Sequence, residues 1–164
     1  MKIQFIKRKP IEFVFPGKPV PKARPRVTRT GHAYTPKKTF DYEKYVRMLA
    51  EIYMRECGLK PIDEAVRLTV SVFLPIPKSW SLSKKKNAEE GVLKPVGRPD
   101  LDNLVKSIQD ALNGVAYKDD SQIVESVCKK SYSDAPKVEV TVESIEGLPV
   151  FRGMMDEMWK DAVG

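Results

Sequence analysis

The hydrophobic period of this chain switches between two residues and three to four, and that alternation restricts its fold most. Val66, Leu68, Val70, Val72 and Leu74 alternate with other residues, as a half-buried strand requires, and Pro75 and Pro77 end the run. In residues 101–113, by contrast, Leu104, Val105, Ile108, Ala111 and Leu112 share one helical stripe. Asp102, Asn103, Lys106, Gln109, Asp110 and Asn113 fall on the opposite face. A chain carrying both periods must bury strand faces against helix stripes.

The rest of the pattern extends this. Residues 11–15 read as a strand, and residues 40–57 as a helix that repeats Tyr42, Tyr45, Val46, Leu49, Ile52 and Tyr53 and stops at Gly58. Residues 81–90 suggest a short polar helix. Residues 123–132 and 138–145 read as two strands joined by a turn at 133–136. The order is roughly β-α-β-α-β-β. The expectation is a single α+β domain over residues 1–146, a mixed β-sheet with helices packed on one face. Residues 17–39 form an irregular basic arm, with short strand pairs near 26–28 and 33–35. Residues 147–164, with Met154, Met155, Met158 and Trp159, read as a tail with a short helix, used for core or dimer packing. Trp80 reads as a packing residue.

Charge is unevenly spread. Residues 1–38 hold eleven Lys/Arg and one acid, Glu12, a charge of +10 against −3 for the remainder. That asymmetry favours a polyanionic partner, because each neutralised phosphate releases counterions. Lys22, Arg24, Arg26, Arg29, Lys37 and Lys38 are the candidate phosphate-binding cations, joined by Lys84, Lys85 and Lys86 in the second long polar segment. The prolines between Lys18 and Arg26 hold an extended backbone and limit the entropy lost on docking.

Several classes are excluded. No apolar run approaches the roughly 20 residues of a membrane span. The N-terminus, interrupted by Lys7, Arg8, Lys9 and Pro10, is not a signal peptide. Cys57, Cys128 and the single His32 cannot build a disulfide scaffold or a four-thiolate zinc site, so the chain is expected to be a reduced cytoplasmic protein. No Gly-rich phosphate loop points to a nucleotide cofactor.

Two acidic pairs remain, Asp100/Asp102 at the start of the 101–113 helix and Asp119/Asp120 after it. One reading is structural. Asp caps helices, Asp102 and Lys106 make an acid-first i,i+4 pair, and Asp119-Asp120 form a turn. The other reading is chemical. Two aspartates two positions apart point the same way in extended chain, so a helix starting at Asp102 or Asn103 would aim both carboxylates at one point. With Asp120 they would hold a hard divalent cation, and Lys106 would neutralise charge developing on a phosphate.

The run Pro99-Asp-Leu-Asp-Asn-Leu-Val-Lys106, followed by Asp110-Ala-Leu-Asn-Gly-Val-Ala-Tyr-Lys-Asp-Asp-Ser-Gln-Ile123, resembles the RusA-type Holliday junction resolvases. Residues 19–26 and 75–80 match the same family's habits, and the resemblance spans about residues 11–145. It implies an endodeoxyribonuclease in which Asp100, Asp102 and Asp120 bind the metal. Lys106 is then the catalytic lysine, with Asn103 and Asp119 in support. It further implies a homodimer that resolves four-way DNA junctions in recombination and repair, by paired symmetric nicks with Mg²⁺ or Mn²⁺. The rival expectation is a non-catalytic DNA-binding protein of phage or bacterial origin.

Overall fold

The computed structural model describes residues 8–145. The Met/Trp tail at 147–164 lies outside them. In chain order the elements are β1 (Ile11–Pro16), β2 (Arg26–Val27), β3 (Ala33–Tyr34), α1 (Lys37–Glu56), β4 (Val66–Pro75), α2 (Leu82–Glu89), α3 (Leu101–Leu112), a 3₁₀ turn (Asp120–Gln122), β5 (Ile123–Ser133) and β6 (Lys137–Ser144). This is the expected α+β class with a mixed sheet. The short strands β2 and β3 pair within the basic arm, near the predicted positions.

Four strands form the main sheet in the order β1-β6-β4-β5. Only β4 and β5 run parallel; β6 is antiparallel to both β1 and β4. Although β5 and β6 are joined by a short turn, they are therefore not neighbours: the chain steps across β4. Ile11, Phe13 and Phe15 of β1 and Val138, Val140 and Val142 of β6 turn into the core. There they meet Val46, Ala50 and Met54 of α1 and the predicted apolar stripe of α3.

Local chemistry sets the helix ends. Helix α1 starts at Lys37, earlier than the periodicity indicated, because its first turn (Lys37, Lys38, Thr39) carries no apolar pattern. It closes with Gly58 at φ +62°, where Leu59 N–H donates to Met54 O (2.8 Å) and Gly58 N–H to Arg55 O (3.1 Å). That pair of bonds satisfies two orphan carbonyls, and glycine reaches the left-handed conformation at little cost. Ser81 caps α2, its Oγ accepting from Lys84 N–H. Among the described residues no helix is long and apolar enough to cross a membrane.

Candidate active site

Helix α3 begins at Leu101, not at Asp102 or Asn103. This corrects the geometric premise under which the first two carboxylates would converge. Pro99 restricts the residue before it, Arg98, and leaves Asp100 free to enter the helix as N-cap. Leu101 packs against the core, which anchors the first turn at that residue. Asp102 therefore sits inside the first turn and Asp100 just outside it. The two line different cavities on either side of the helix start.

The capping reading of Asp100 also changes. Its backbone carbonyl accepts the Leu104 N–H at 3.2 Å, but its side chain makes no capping hydrogen bond. Its carboxylate is left exposed to the larger cavity. Asp102 Oδ1 accepts the neighbouring Asn103 N–H at 2.9 Å. The loop that delivers Asp100 is fastened by Lys130, whose Nζ donates to Gly97 O (2.8 Å) and Pro99 O (3.0 Å). Nothing in the local sequence marked Lys130 for that task.

The second acidic pair divides its work. Asp119 caps the 3₁₀ turn: its Oδ1 accepts from Ser121 N–H (2.8 Å), while Gln122 Oε1 accepts the Asp119 N–H (2.8 Å). The hydrogen bonds from Ser121 hold the Asp119 carboxyl below the ordinary range. Gln122 Nε2 ties the turn to Ile62 O and Glu64 O. Buried Tyr117 braces the preceding segment through its hydroxyl, which donates to Gln109 O at 2.8 Å. With Asp119 occupied in the turn, Asp120 is presented half-buried to the polar face of α3. Its Oδ2 accepts from Lys106 Nζ at 3.1 Å.

Lys106 belongs to a chain of alternating charges. Its Nζ also lies 2.8 Å from Asp110 Oδ1, and Asp110 Oδ2 lies 2.8 Å from Lys22 Nζ. Lys22 in turn lies 2.7 Å from Glu43 Oε1 of α1. Burial pushes the Asp110 carboxyl up, but the hydrogen bonds from Lys106 and Lys22 prevail and hold it low. The hydrogen bond to Asp110, helped by Asp120, raises Lys106 against the effect of burial. Burial lowers Lys22, and the bonds to Asp110 and Glu43 overturn that to leave it raised. The acid-first pair of Asp102 with Lys106, considered from spacing, is not among the ion pairs of the described residues.

The arm is stitched onto this helix. Lys22 N–H donates to Asn103 O (2.8 Å), and the single hydroxyl proton of buried Ser107 is shared between Val20 O (2.8 Å) and Leu104 O (2.9 Å). Between arm, sheet end and α3 lies a cavity of about 840 Å³. Lys18, Lys22, Arg24, Lys38 and Arg98 bring cations to its lining, prolines and Tyr132 supply apolar wall, and Asp100 and Asn103 line the helix side. Arg26 and Arg29 lie exposed on the β2–β3 hairpin, and Lys37 is exposed at the start of α1. Lys84, Lys85 and Lys86 sit on α2 and line neither cavity. Trp80 packs edge-on against Tyr132, with Lys84 Nζ 4.1 Å from its ring centre.

Among the described residues no three His, Cys, Asp or Glu side chains stand together as a ready-made metal centre. The donor chemistry nevertheless fits a hard divalent cation. Asp100 and Asp102 are exposed carboxylates, and Asp120 is held through one oxygen by a single ammonium.

Comparison with known proteins bears on this site directly. The family model described as "Endodeoxyribonuclease RusA" matches residues 16–143, which contain every residue of the site. The chain is 42% identical over 140 residues to the uncharacterized protein YqaN of Bacillus subtilis (strain 168), covering 82% of this chain and 96% of that protein. It is 41% identical over 94 residues to the crossover junction endodeoxyribonuclease rusA of Lactococcus phage r1t, covering 56% of this chain and 62% of the phage protein.

Proposed function

The chain belongs to the RusA family of endodeoxyribonucleases, and on that premise we propose that it resolves four-way DNA junctions by paired, symmetric, metal-dependent nicks. It would act as a homodimer in the cytoplasm of a bacterium, encoded by the chromosome or by a phage. The observation that carries this reading is the pairing of Lys106 with Asp120 at the polar face of α3, on a helix whose other flank lines a cation-rich cavity together with Asp100.

Asp100, Asp102 and Asp120 are the residues that would hold Mg²⁺, with Mn²⁺ as a substitute. Such an ion supplies polarisation of the scissile phosphate and lowers the pKa of water. Lys106 would neutralise charge that develops on the phosphate oxygens. Arg24, Lys38 and the other exposed arm cations would hold the strand, and the proline-stiffened backbone would keep them in place. Asn103, whose carbonyl receives the arm and which lines both cavities, links the two.

A two-fold dimer presents two equivalent sites to a nearly two-fold junction, which is what paired nicking needs. The exposed edge strand β5, with Val124 and Val127 turned to solvent, is a surface that a second copy would protect.

The decisive experiment incubates the protein with a synthetic four-way junction and a matched duplex, with and without Mg²⁺. The expected result is paired nicks in the junction alone, only with Mg²⁺. Junction binding without any Mg²⁺-dependent product would favour a DNA-binding protein without catalysis.

A further inference from the structure

The charge chain through α3 contains a residue that neither the cation-lined cavity nor the three aspartates account for. Asp110 uses both carboxylate oxygens, Oδ1 on Lys106 and Oδ2 on Lys22, each at 2.8 Å. Lys106 has a second helical neighbour of opposite charge, Asp102, at i−4. An acid four residues before a lysine is the better arrangement on a helix, and side chains lean towards the N-terminus. Local preference alone would therefore place the Lys106 ammonium on Asp102. The structure places it one turn the other way, on Asp110 and Asp120.

We propose that Asp110 is a positioning residue: it draws Lys106 away from Asp102 and onto Asp120, leaving the Asp102 carboxylate unpaired for its task. Lys22 completes the device from the arm. Held by Glu43 on its other side, it fixes the Asp110 carboxylate from behind and is itself turned inward. Its charge is spent within the protein, so its part is to clamp the arm to α1 and α3, and the phosphate-gripping role falls to Arg24 and Lys38.

The inference rests on the nuclease reading above, and the experiment separates the two. Asp110→Asn keeps the shape and removes the charge; Asp110→Glu keeps the charge; Lys22→Met loosens the arm but leaves the Lys106–Asp110 pair. Each is measured for junction Kd without metal, single-turnover cleavage at saturating junction, and the rise in Tm produced by Mg²⁺ alone. The expected result for Asp110→Asn is a junction Kd within about twofold of wild type, cleavage slower by about tenfold or more, and a smaller Mg²⁺-induced rise in Tm, because Lys106 now competes for Asp102. Asp110→Glu should recover part of the rate, and Lys22→Met should move Kd more than rate.

Cleavage by Asp110→Asn at the wild-type rate would overturn the proposal. So would equal, proportionate losses of binding and rate in Asp110→Asn and Lys22→Met, which would reduce Asp110 to an anchor for the arm. A wild-type protein that binds junctions but never cleaves them would instead defeat the nuclease reading.

Discussion

The two flanks of the α3 start are made of different materials. On the arm side, Lys18, Arg24, Lys38 and Arg98 line the same proline-walled cavity as Asp100, with Lys22 paired to Glu43 and Asp110 at its edge. On the β5 side, Asp102 and Lys106 share a cavity of about 730 Å³ with Leu101, Val105, Gln109, Ser126 and Cys128, and Lys106 is the one cation in its lining. The difference teaches how a single helix serves two purposes. The arm flank concentrates positive potential over a rigid wall, which suits long-range attraction of a polyanion. The other flank holds one ammonium between carboxylates, which suits a response to charge that appears only as a bond breaks. Affinity and turnover should therefore be separable by mutation.

The sharpest way to break that division is Asp102→Asn. Cleavage should fall by more than about a hundredfold, since even groups that merely orient a metal ligand are worth about 10- to 100-fold. Junction affinity should hold or improve, because a negative charge near the phosphate is gone. A gel-shift titration beside a single-turnover assay reads both; loss of affinity with normal cleavage would reverse the assignment of the flanks. The next largest effect is the mirror image. Replacing Arg24 and Lys38 with Ala should weaken junction binding roughly tenfold and reduce the slope of log K against log salt by about 2. Single-turnover cleavage at saturating DNA should stay near wild type, and an unchanged slope would remove these residues from the phosphate path.

Why the arm behaves as part of the site was not legible in the sequence, although most of the elements were. Strand and helix periods are local, so β1, β4 and the apolar stripe of α3 follow from residue spacing. The order β1-β6-β4-β5 does not, because stepping over β4 between β5 and β6 is decided by which faces bury together. At the site, the acidic residues and Lys106 stood out by type and motif. The start of α3 at Leu101 did not, since it depends on Leu101 finding the core. Nor could spacing tell Asp119 from Asp120; that distinction comes from Gln122 reaching back to close the capping box around Asp119. The links from Lys22 to Asp110 and from Ser107 to Val20 join residues more than eighty positions apart, beyond the reach of any local pattern.

Ser107 offers a way to sharpen the comparison through stability instead of chemistry. Its hydroxyl is fully buried and serves the Val20 carbonyl, so Ser107→Ala leaves that carbonyl without its partner. An unsatisfied buried polar group costs about 1–3 kcal/mol. Thermal or urea unfolding should show a loss of about 1 kcal/mol or less, since Val20 is only half-buried and Ala suits a helix better than Ser. Binding should weaken with it while the cleavage rate at saturation holds, because the bond lies on the arm flank. A stability unchanged from wild type would mean that the arm is not fastened there.

The smallest effect belongs to α2, and it tests whether charge or placement makes a phosphate surface. Lys84, Lys85 and Lys86 are as dense a cationic cluster as any in the arm, yet none lines either cavity. Lys84 rests over Trp80, and Lys86 lies 3.8 Å from Glu90, an exposed pair of little energetic consequence. Replacing all three with Ala should lower affinity by no more than about threefold and change the salt slope by less than the arm pair does, although it removes one more charge. Net charge alone would predict the opposite ranking. If the triple variant loses more affinity than the Arg24 and Lys38 variant, a junction arm runs across α2, and the cation-lined cavity is only one part of a longer DNA path.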